Sequence, residues 1–279
     1  MSRPPTFTPP PGTHALPLRT SRGVFAALEA EPRHAEPRGT ALLLPGYTGS
    51  KEDFIAMLVP LAEAGYRVVA VDGRGQYETE GTDRQEAYAQ SELARDVLAQ
   101  AATAGTPVHL VGHSLGGQIS RAAVLLDASP FASLTLMSSG PAEVSPAQQR
   151  KIAMLTEALG AMTMDQVWEA MWALDPPEDT DLDGTALRAR WLRHNPTQLV
   201  ATGRQLTGEP DRVAELAAVG LPVHVVSGTT DDTWPVPLID EMAERLGAYR
   251  TVIEGAQHSP NTDRPEETAK ALAGFWDAL

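Results

Sequence analysis

The chain of 279 residues is long enough to bury a large core, and its 42% hydrophobic and 21% charged residues are typical of a globular protein. Its 22 basic and 36 acidic residues give a net charge of −14, which argues against nucleic acid or an anionic membrane surface as a partner. The absence of cysteine excludes disulfides, thiol catalysis and thiolate metal sites.

The N-terminal stretch "MSRPPTFTPPPGTHALP" is rich in proline and lacks the apolar segment of a signal peptide. We therefore predict a disordered tail over residues 1–16. No apolar run in the sequence approaches the roughly 20 residues that a membrane-spanning helix needs. From these observations we expect a cytoplasmic protein with no membrane span.

Short apolar runs alternate with helical patterns along most of the chain. Two early strands are predicted within 18–32, and further strands at 40–45, 66–72, 107–112, 134–139, 222–228 and 249–255. Helices are predicted within 50–66, at 83–105 with Gly105 as the C-cap, at 118–128, after 228, and at 265–279. Continuous apolar strands between helices indicate a parallel sheet covered on both faces.

From about residue 141 to residue 220 the alternation stops and the pattern is helical throughout. An all-helical stretch inside such a sheet is most simply a lid. The predicted fold class is therefore α/β, with a doubly wound, mostly parallel sheet and an inserted helical lid. The predicted domains are a core over 17–140 and 221–279 and a lid over 141–220.

The stretch "VHLVGHSLGGQ" runs from a predicted buried strand straight into Gly112-His113-Ser114-Leu115-Gly116. This matches G-x-S-x-G between a strand and a helix, the pattern of a nucleophile elbow. A chain that reverses so sharply tolerates no bulky neighbours, and it lifts the serine hydroxyl above the sheet edge beside a helix N-terminus. Glycines here also allow close helix packing. Ser114 is the candidate nucleophile.

A serine hydroxyl needs a base, and His258 is the candidate. It lies in the polar loop "GAQHSPNTDRPEE" after the last strand, which starts at the same sheet edge as Ser114. A solvated loop histidine is the alternative. The other six histidines lie in the tail, before the core strands, within strands, in the elbow or in the helical insert: His14, His34, His109, His224, His113 and His194.

An acid must orient that base. The strand "PVHVV" leads into a loop that carries Asp231 and Asp232 and opens at the same edge of the sheet. These residues alone leave open which aspartate acts, or whether the loop is simply acidic.

An oxyanion hole is the last requirement of this chemistry, because the tetrahedral intermediate concentrates charge on one oxygen. We expect one donor to be the backbone N–H of Leu115, which follows the nucleophile. The second is expected in the loop 45–50, where glycines on both sides of Tyr47 let its backbone N–H face a ligand. An ordinary turn before an N-cap serine accounts for the same stretch.

With these motifs in order, residues 38 to 279 resemble the α/β-hydrolase family. The chain order Ser, Asp, His is the family order. The stretch "LLLPGYTGSKEDF" resembles the oxyanion loop of that family, with Pro45 in place of the usual histidine. In "VDGRGQYETEG", which resembles the family's Asp-x-Arg-Gly turn, the resemblance implies structural roles for Asp72 and Arg74.

The resemblance also bears on the acid. The stretch "SGTTDDTWP" resembles the family's Gly-x-x-Asp-x-x-x-Pro loop, which, counted from Gly228, assigns the role to Asp231 rather than Asp232. Some members take the acid from the end of the preceding strand. Here that strand ends in "LMSSGP", which holds no carboxylate.

Three tryptophans are candidates for a substrate pocket. Met164, Trp168, Met171 and Trp172 recur at helical spacing, so one face of that helix is apolar. This face either packs the lid against the core or contributes Trp168 and Trp172 to an acyl pocket. Trp234 is either a pocket wall or a hydrophobic plug that holds the acid loop.

The resemblance implies a serine hydrolase that needs no cofactor or metal and cleaves carboxylic esters of small or medium acyl chains through an acyl-enzyme. The expected partner is a small-molecule acyl substrate, and no oligomeric state is predicted. A serine nucleophile argues against the dehalogenase and epoxide hydrolase branches, which use an aspartate. Cleavage of a thioester, lactone or C–C bond by the same residues is the alternative, and a non-catalytic binding protein is a remote one.

Overall fold

The structure is a computed structural model that describes residues 1–33, 35–174 and 184–279. His34 and residues 175–183 of the helical insert, which enter the sequence predictions above, lie outside the described residues. Among the described helices, none combines the length and the apolar character needed to cross a membrane.

In the described part of the chain, eight strands form one sheet in the order β1-β2-β4-β3-β5-β6-β7-β8. Only β2 runs against the others, because it pairs antiparallel with both β1 and β4 while the remaining pairs are parallel. The strands are Thr13–Thr20, Gly23–Ala30, Thr40–Leu44, Arg67–Val71, Val108–His113, Phe131–Met137, Val223–Gly228 and Tyr249–Ile253. The predicted mostly parallel sheet is confirmed.

The helices connect the parallel strands and lie on both faces of the sheet. In chain order α1 to α11 they are Ile55–Glu63, Gln90–Ala104, Leu115–Leu126, Pro146–Ala161, Met164–Leu174, Gly184–Arg193, Pro196–Leu206, Val213–Val219, Val236–Leu246, Pro260–Asp263 and Pro265–Asp277. Short 3₁₀ helices occupy Lys51–Phe54 and Gln85–Tyr88. The five helices α4 to α8 follow one another between β6 and β7, where the sequence predicts the helical insert.

Successive side chains of each strand point to opposite faces of the sheet, and each face carries one apolar layer. In β3, Leu42 and Leu44 face one layer with α2, α3 and α9, while Leu43 faces the other with α1 and α11. All three leucines are buried. A parallel sheet covered in this way directs the carboxyl ends of β3, β5 and β7 to one edge, where the loops that follow them meet.

Two boundaries differ from the sequence predictions. Strand β1 begins at Thr13, which pairs with Ala30, so the prediction of a disordered tail up to residue 16 is wrong for its last four residues. The helix predicted from residue 83 begins at Gln90. The Tyr88 hydroxyl accepts from Thr82 N at 2.7 Å and donates to Thr82 O at 2.8 Å, which folds the preceding segment back on itself.

The buried guanidinium of Arg121 binds the helical insert at two points, one at its start and one after α7. Arg121 of α3 donates to Pro141 O at 2.8 Å and to Glu209 Oε1 at 2.7 Å. The side chains of Arg121 and Glu209 are 2% and 4% exposed, so this ion pair is shielded from solvent. The entry to the insert and the chain beyond α7 are therefore held beside the helix that follows Ser114.

Among the described residues four histidines are buried, and desolvation lowers the pKa of each. The pKa is about 4 for the first three and about 3 for the fourth: His109, His113, His194 and His224. For His224, the nearby Arg250 guanidinium lowers the pKa further. An unfolded chain binds protons at these positions near pH 6.5, well before the folded chain does.

The stability of the fold should therefore fall as the pH is lowered from about 6.5 toward 4. In that window the unfolded state binds more protons, so the free energy of unfolding decreases by up to about 1.4 kcal/mol per pH unit for each histidine. Replacing His224→Gln should reduce this slope, and urea unfolding between pH 7 and pH 5 measures it. Replacing His14→Gln, at an exposed position, is the control and should leave the slope unchanged. An unchanged slope in His224→Gln would contradict the expectation.

Candidate active site

The chain turns sharply at Ser114, between β5 and α3. Ser114 has φ 54° and ψ −118°, a region that residues with a side chain seldom occupy. Its backbone N–H donates to Met137 O of β6 at 2.9 Å, and its carbonyl accepts from Gly117 N at 2.9 Å. The side chain stands at the carboxyl end of β5 beside the N-terminus of α3, as a nucleophile elbow requires.

Close backbone approach explains the glycines on either side of Ser114. A Cβ on Gly112 would lie 2.3 Å from Gly116 O, and one on Gly116 would lie 2.5 Å from Leu44 O and 2.6 Å from Pro45 O. The glycines thus let the turn close and let the loop after β3 lie directly against it. Close packing therefore accounts for the glycines, while the catalytic role of the Ser114 side chain stays a prediction.

The structure brings Ser114, His258 and Asp231 together. His258 Nε2 is 3.1 Å from Ser114 Oγ, and His258 Nδ1 is 2.9 Å from both carboxylate oxygens of Asp231. Because a carboxylate only accepts, Nδ1 carries the proton and Nε2 presents its lone pair to the serine hydroxyl. The Asp231 side chain is fully buried and that of His258 is 25% exposed.

The two adjacent aspartates face different surroundings. Asp231 Oδ1 accepts from the backbone N–H groups of Thr233 at 2.8 Å and Trp234 at 3.1 Å, which fixes the carboxylate toward His258. The Asp232 side chain is 67% exposed and accepts from Gln148 Nε2 at 2.7 Å. Geometry therefore pairs Asp231, and not Asp232, with the histidine.

His113 packs beside the elbow and binds the loop that carries His258. Its Nε2 lies 2.8 Å from the backbone oxygen of His258. Burial lowers the pKa of His113 to about 4, so the ring is neutral, and its proton lies on Nε2 to donate to that carbonyl. His113 thus ties the base loop to the turn at Ser114.

The loop after β3 lies beside Ser114, and the role of the Tyr47 amide as an oxyanion donor stays a prediction. A Cβ on Gly46 would lie 3.2 Å from Ser114 Cβ, so the peptide between Gly46 and Tyr47 runs alongside that side chain. Within the described part of the chain, the Tyr47 N–H donates no hydrogen bond. Leu115 opens α3, where the first N–H groups have no intrahelical acceptor.

Hydrogen bonds join this loop to the helical insert. The Tyr47 hydroxyl donates to Leu199 O of α7 at 2.7 Å. His194 Nε2 lies 3.1 Å from Gly49 O. These contacts hold the insert against the segment that carries the Tyr47 amide.

The tryptophans suggested for a substrate pocket take packing positions. Trp168 and Trp172 stack with ring centroids 5.0 Å apart in an apolar cluster that also contains Trp191. The Trp234 ring is fully buried, 6.2 Å from the His258 ring, and its indole N–H lies 3.0 Å from Ala142 O. These contacts favour lid packing and the plug; the pocket role of all three stays a prediction.

Several residues that hold the loops around the candidate site were not predicted from sequence patterns. Asn261 Nδ2 donates to Asp53 O at 2.8 Å and joins the base loop to the 3₁₀ helix after the Tyr47 loop. Lys51 donates from its backbone and its ammonium to Asp72 at 2.7 and 3.0 Å. Arg121 could have been found from the sequence, because a charged residue within the apolar pattern of α3 indicates a buried ion pair.

Substitution Gly116→Ala should destabilise the fold. The added methyl group would meet two backbone oxygens at 2.5 and 2.6 Å, and overpacking of this kind costs about 1–3 kcal/mol. The matched control is Gly160→Ala in α4, where nothing lies within 4 Å and alanine favours the helix. Urea unfolding of the two variants should move in opposite directions; a Gly116→Ala protein as stable as wild type would refute the close approach.

Comparisons with known proteins agree with this architecture. The chain is 28% identical over 230 residues to the pimeloyl-[acyl-carrier protein] methyl ester esterase of Aeromonas hydrophila, covering 78% of this chain and 88% of that protein. It is 38% identical over 119 residues to a Variovorax paradoxus protein named a carbamate hydrolase, RutD, covering 39% of this chain and 42% of that protein's length. An esterase from Thermogutta terrifontis has the same fold, with a TM-score of 0.76, 20% identity and coverage of 95% and 98% of the two chains. The model of the alpha/beta hydrolase family matches residues 41–271, and the chain belongs to that family.

Proposed function

We propose that the protein is a serine hydrolase that cleaves carboxylic esters of small or medium acyl chains without a cofactor. The observation that carries this proposal is the hydrogen-bonded series Ser114–His258–Asp231, with separations of 3.1 and 2.9 Å. A buried carboxylate, a histidine and a serine in this order are the parts that acyl transfer needs.

In the first half of the reaction, Ser114 Oγ attacks the ester carbonyl carbon while His258 Nε2 takes its proton. The carbonyl oxygen becomes an oxyanion, which the backbone N–H groups of Tyr47 and Leu115 stabilise. His258 then gives the proton to the departing alkoxide, so an alcohol leaves and Ser114 carries the acyl group. Asp231 stabilises the positively charged ring of His258 throughout.

In the second half, a water molecule takes the place of the alcohol. The water oxygen attacks the acyl carbon while His258 accepts a proton from the water. His258 then returns this proton to Ser114 Oγ as the ester bond to the enzyme breaks. The acid is released and the free enzyme is restored. This cycle consumes one ester and one water and needs no further reactant.

The proposed substrate size rests on access to the serine. Ser114 is 6% exposed and the side chain of His258 is 25% exposed, so solvent reaches little of the nucleophile's surface. Such restricted access suits a small acyl group better than a bulky one. By their names, one relative acts on a methyl ester and another on a carbamate, which makes both bonds reasonable test substrates.

Substitution Ser114→Ala should lower the rate of p-nitrophenyl ester hydrolysis by about 10³-fold or more, because nothing else in the series can carry the acyl group. A fluorophosphonate probe should label the wild type and not the variant. The matched control is Ser120→Ala in α3, the helix that follows Ser114. This serine is also buried, but its Oγ donates to Gly116 O, and its loss should leave the rate unchanged.

The same assay should define the acyl group. We expect kcat/KM to be highest on acetate to octanoate esters, and lower on acyl-CoA thioesters, lactones and carbamates of similar size. A Ser114→Ala protein with wild-type activity would exclude the serine mechanism. Greater activity on another of these bonds would retain the mechanism and change the substrate class.

Substitution of each aspartate tests the choice of acid. Asp231→Asn should lower kcat by about 10⁴-fold, because an amide nitrogen facing His258 Nδ1 favours the wrong tautomer. Asp232→Asn, in the exposed neighbour, should change kcat by less than about threefold. Steady-state kinetics on p-nitrophenyl acetate measures both, and a larger loss in Asp232→Asn would reverse the assignment.

A further inference from the structure

The side-chain amide of Gln76, in the loop after β4, binds the peptide group that joins Gly46 to Tyr47. Gln76 Nε2 donates to Gly46 O at 2.7 Å. At the other end of the amide, Oε1 accepts from the backbone N–H of Gly73 at 2.9 Å. Gln76 is 5% exposed, and the Gly73 contact decides which end of the amide faces the Tyr47 loop.

This contact sets the direction of the Tyr47 N–H. The peptide is trans, and in a trans peptide the C=O and N–H bonds point in opposite directions. A donor that holds Gly46 O on one side therefore turns the Tyr47 N–H to the other side. A hydrogen bond on the carbonyl also polarises the same peptide, which strengthens its N–H as a donor.

The peptide needs such a support. Gly46 carries no side chain and so presents little steric resistance to rotation of the peptide that follows it. Its carbonyl accepts a second, longer hydrogen bond of 3.2 Å from Gly49 N. The bond from Gln76 is the shorter one, and it comes from a separate loop that is itself held in place.

We infer that Gln76 is a positioning residue: by donating to Gly46 O, it directs the Tyr47 N–H at the oxygen that becomes negative during the reaction. This inference rests on the proposed function. Gln76 Nε2 also lies 3.4 Å from Tyr47 O, so Gln76 acts through the backbone of this loop rather than on the reacting atoms.

Substitution Gln76→Glu keeps the shape and the acceptor for Gly73 N but removes the donor. On p-nitrophenyl acetate we expect kcat to fall about 10- to 100-fold and KM to change less than about twofold, because an oxyanion donor acts mainly in the transition state. A neutral carboxyl group can donate to Gly46 O again, so the ratio of variant to wild-type kcat should rise as the pH is lowered. Substitution Gln76→Met, which lacks a donor at every pH, should show the loss without this recovery.

The matched control is Thr79→Val in the same loop. Thr79 is also 5% exposed and holds the loop elsewhere, because its Oγ1 accepts from Ala26 N at 2.9 Å and donates to Asp72 O at 3.2 Å. We expect Thr79→Val to lower the thermal unfolding midpoint but to retain kcat. The midpoints of all three variants show whether each is folded at the assay temperature.

The outcomes separate the two proposals. Wild-type kcat in folded Gln76→Glu and Gln76→Met would overturn the positioning role, and so would an equal loss in Thr79→Val with no pH-dependent ratio. A wild-type protein that neither hydrolyses the ester nor reacts with a fluorophosphonate would instead overturn the proposed function, and this inference with it.

Discussion

The turn at Ser114 is the constraint on which the rest of the site depends. A serine at φ 54° is strained by about 1–3 kcal/mol, and such strain persists only where the surrounding structure holds it. Here β5 is paired on both sides and α3 packs on the sheet, so both arms of the turn are fixed. The loop after β3 lies directly against Gly116, and its residue Gly46 lies beside the Ser114 side chain.

The remaining loops of the site are joined to one another through backbone carbonyls. His113 binds the carbonyl of His258, Asn261 binds that of Asp53, and Thr229 N donates to Ala256 O at 2.9 Å. Each contact ties the chain near one proposed functional residue to a segment from another part of the chain. Preorganisation of this kind is what a site for charge stabilisation requires, because the donors do not have to move when charge develops.

The fold was largely readable from the sequence because its signals are local. Alternating apolar strands and helices predict the covered parallel sheet, and the glycines around Ser114 predict the turn between β5 and α3. The errors arise where tertiary contacts override local patterns. Thr13 joins β1 because Ala30 of β2 is available to pair with it, and the segment before Gln90 is folded back by the Tyr88 hydroxyl.

The residues of the candidate site also fall into two groups, those that a sequence motif predicts and those that only tertiary contacts reveal. Ser114, His258 and Asp231 stand in motifs, and a parallel sheet brings the loops that carry them to one edge. Gln76 and Asn261 carry no such pattern, since an amide in a polar loop looks the same whether it faces water or a peptide. Only the three-dimensional contact distinguishes them.

The buried ion pair between Arg121 and Glu209 has an evolutionary consequence. Arg121 binds Pro141 before α4 and Glu209 after α7, so both ends of this helical stretch are attached to the core. These two attachments do not depend on the length of the helices between them. The stretch from α4 to α7 is therefore suited to replacement by another segment during evolution, with the edge of the sheet left intact. A replacement segment would have to reproduce the contacts with the Tyr47 loop, so the part suited to exchange is also linked to the loop that lies beside Ser114.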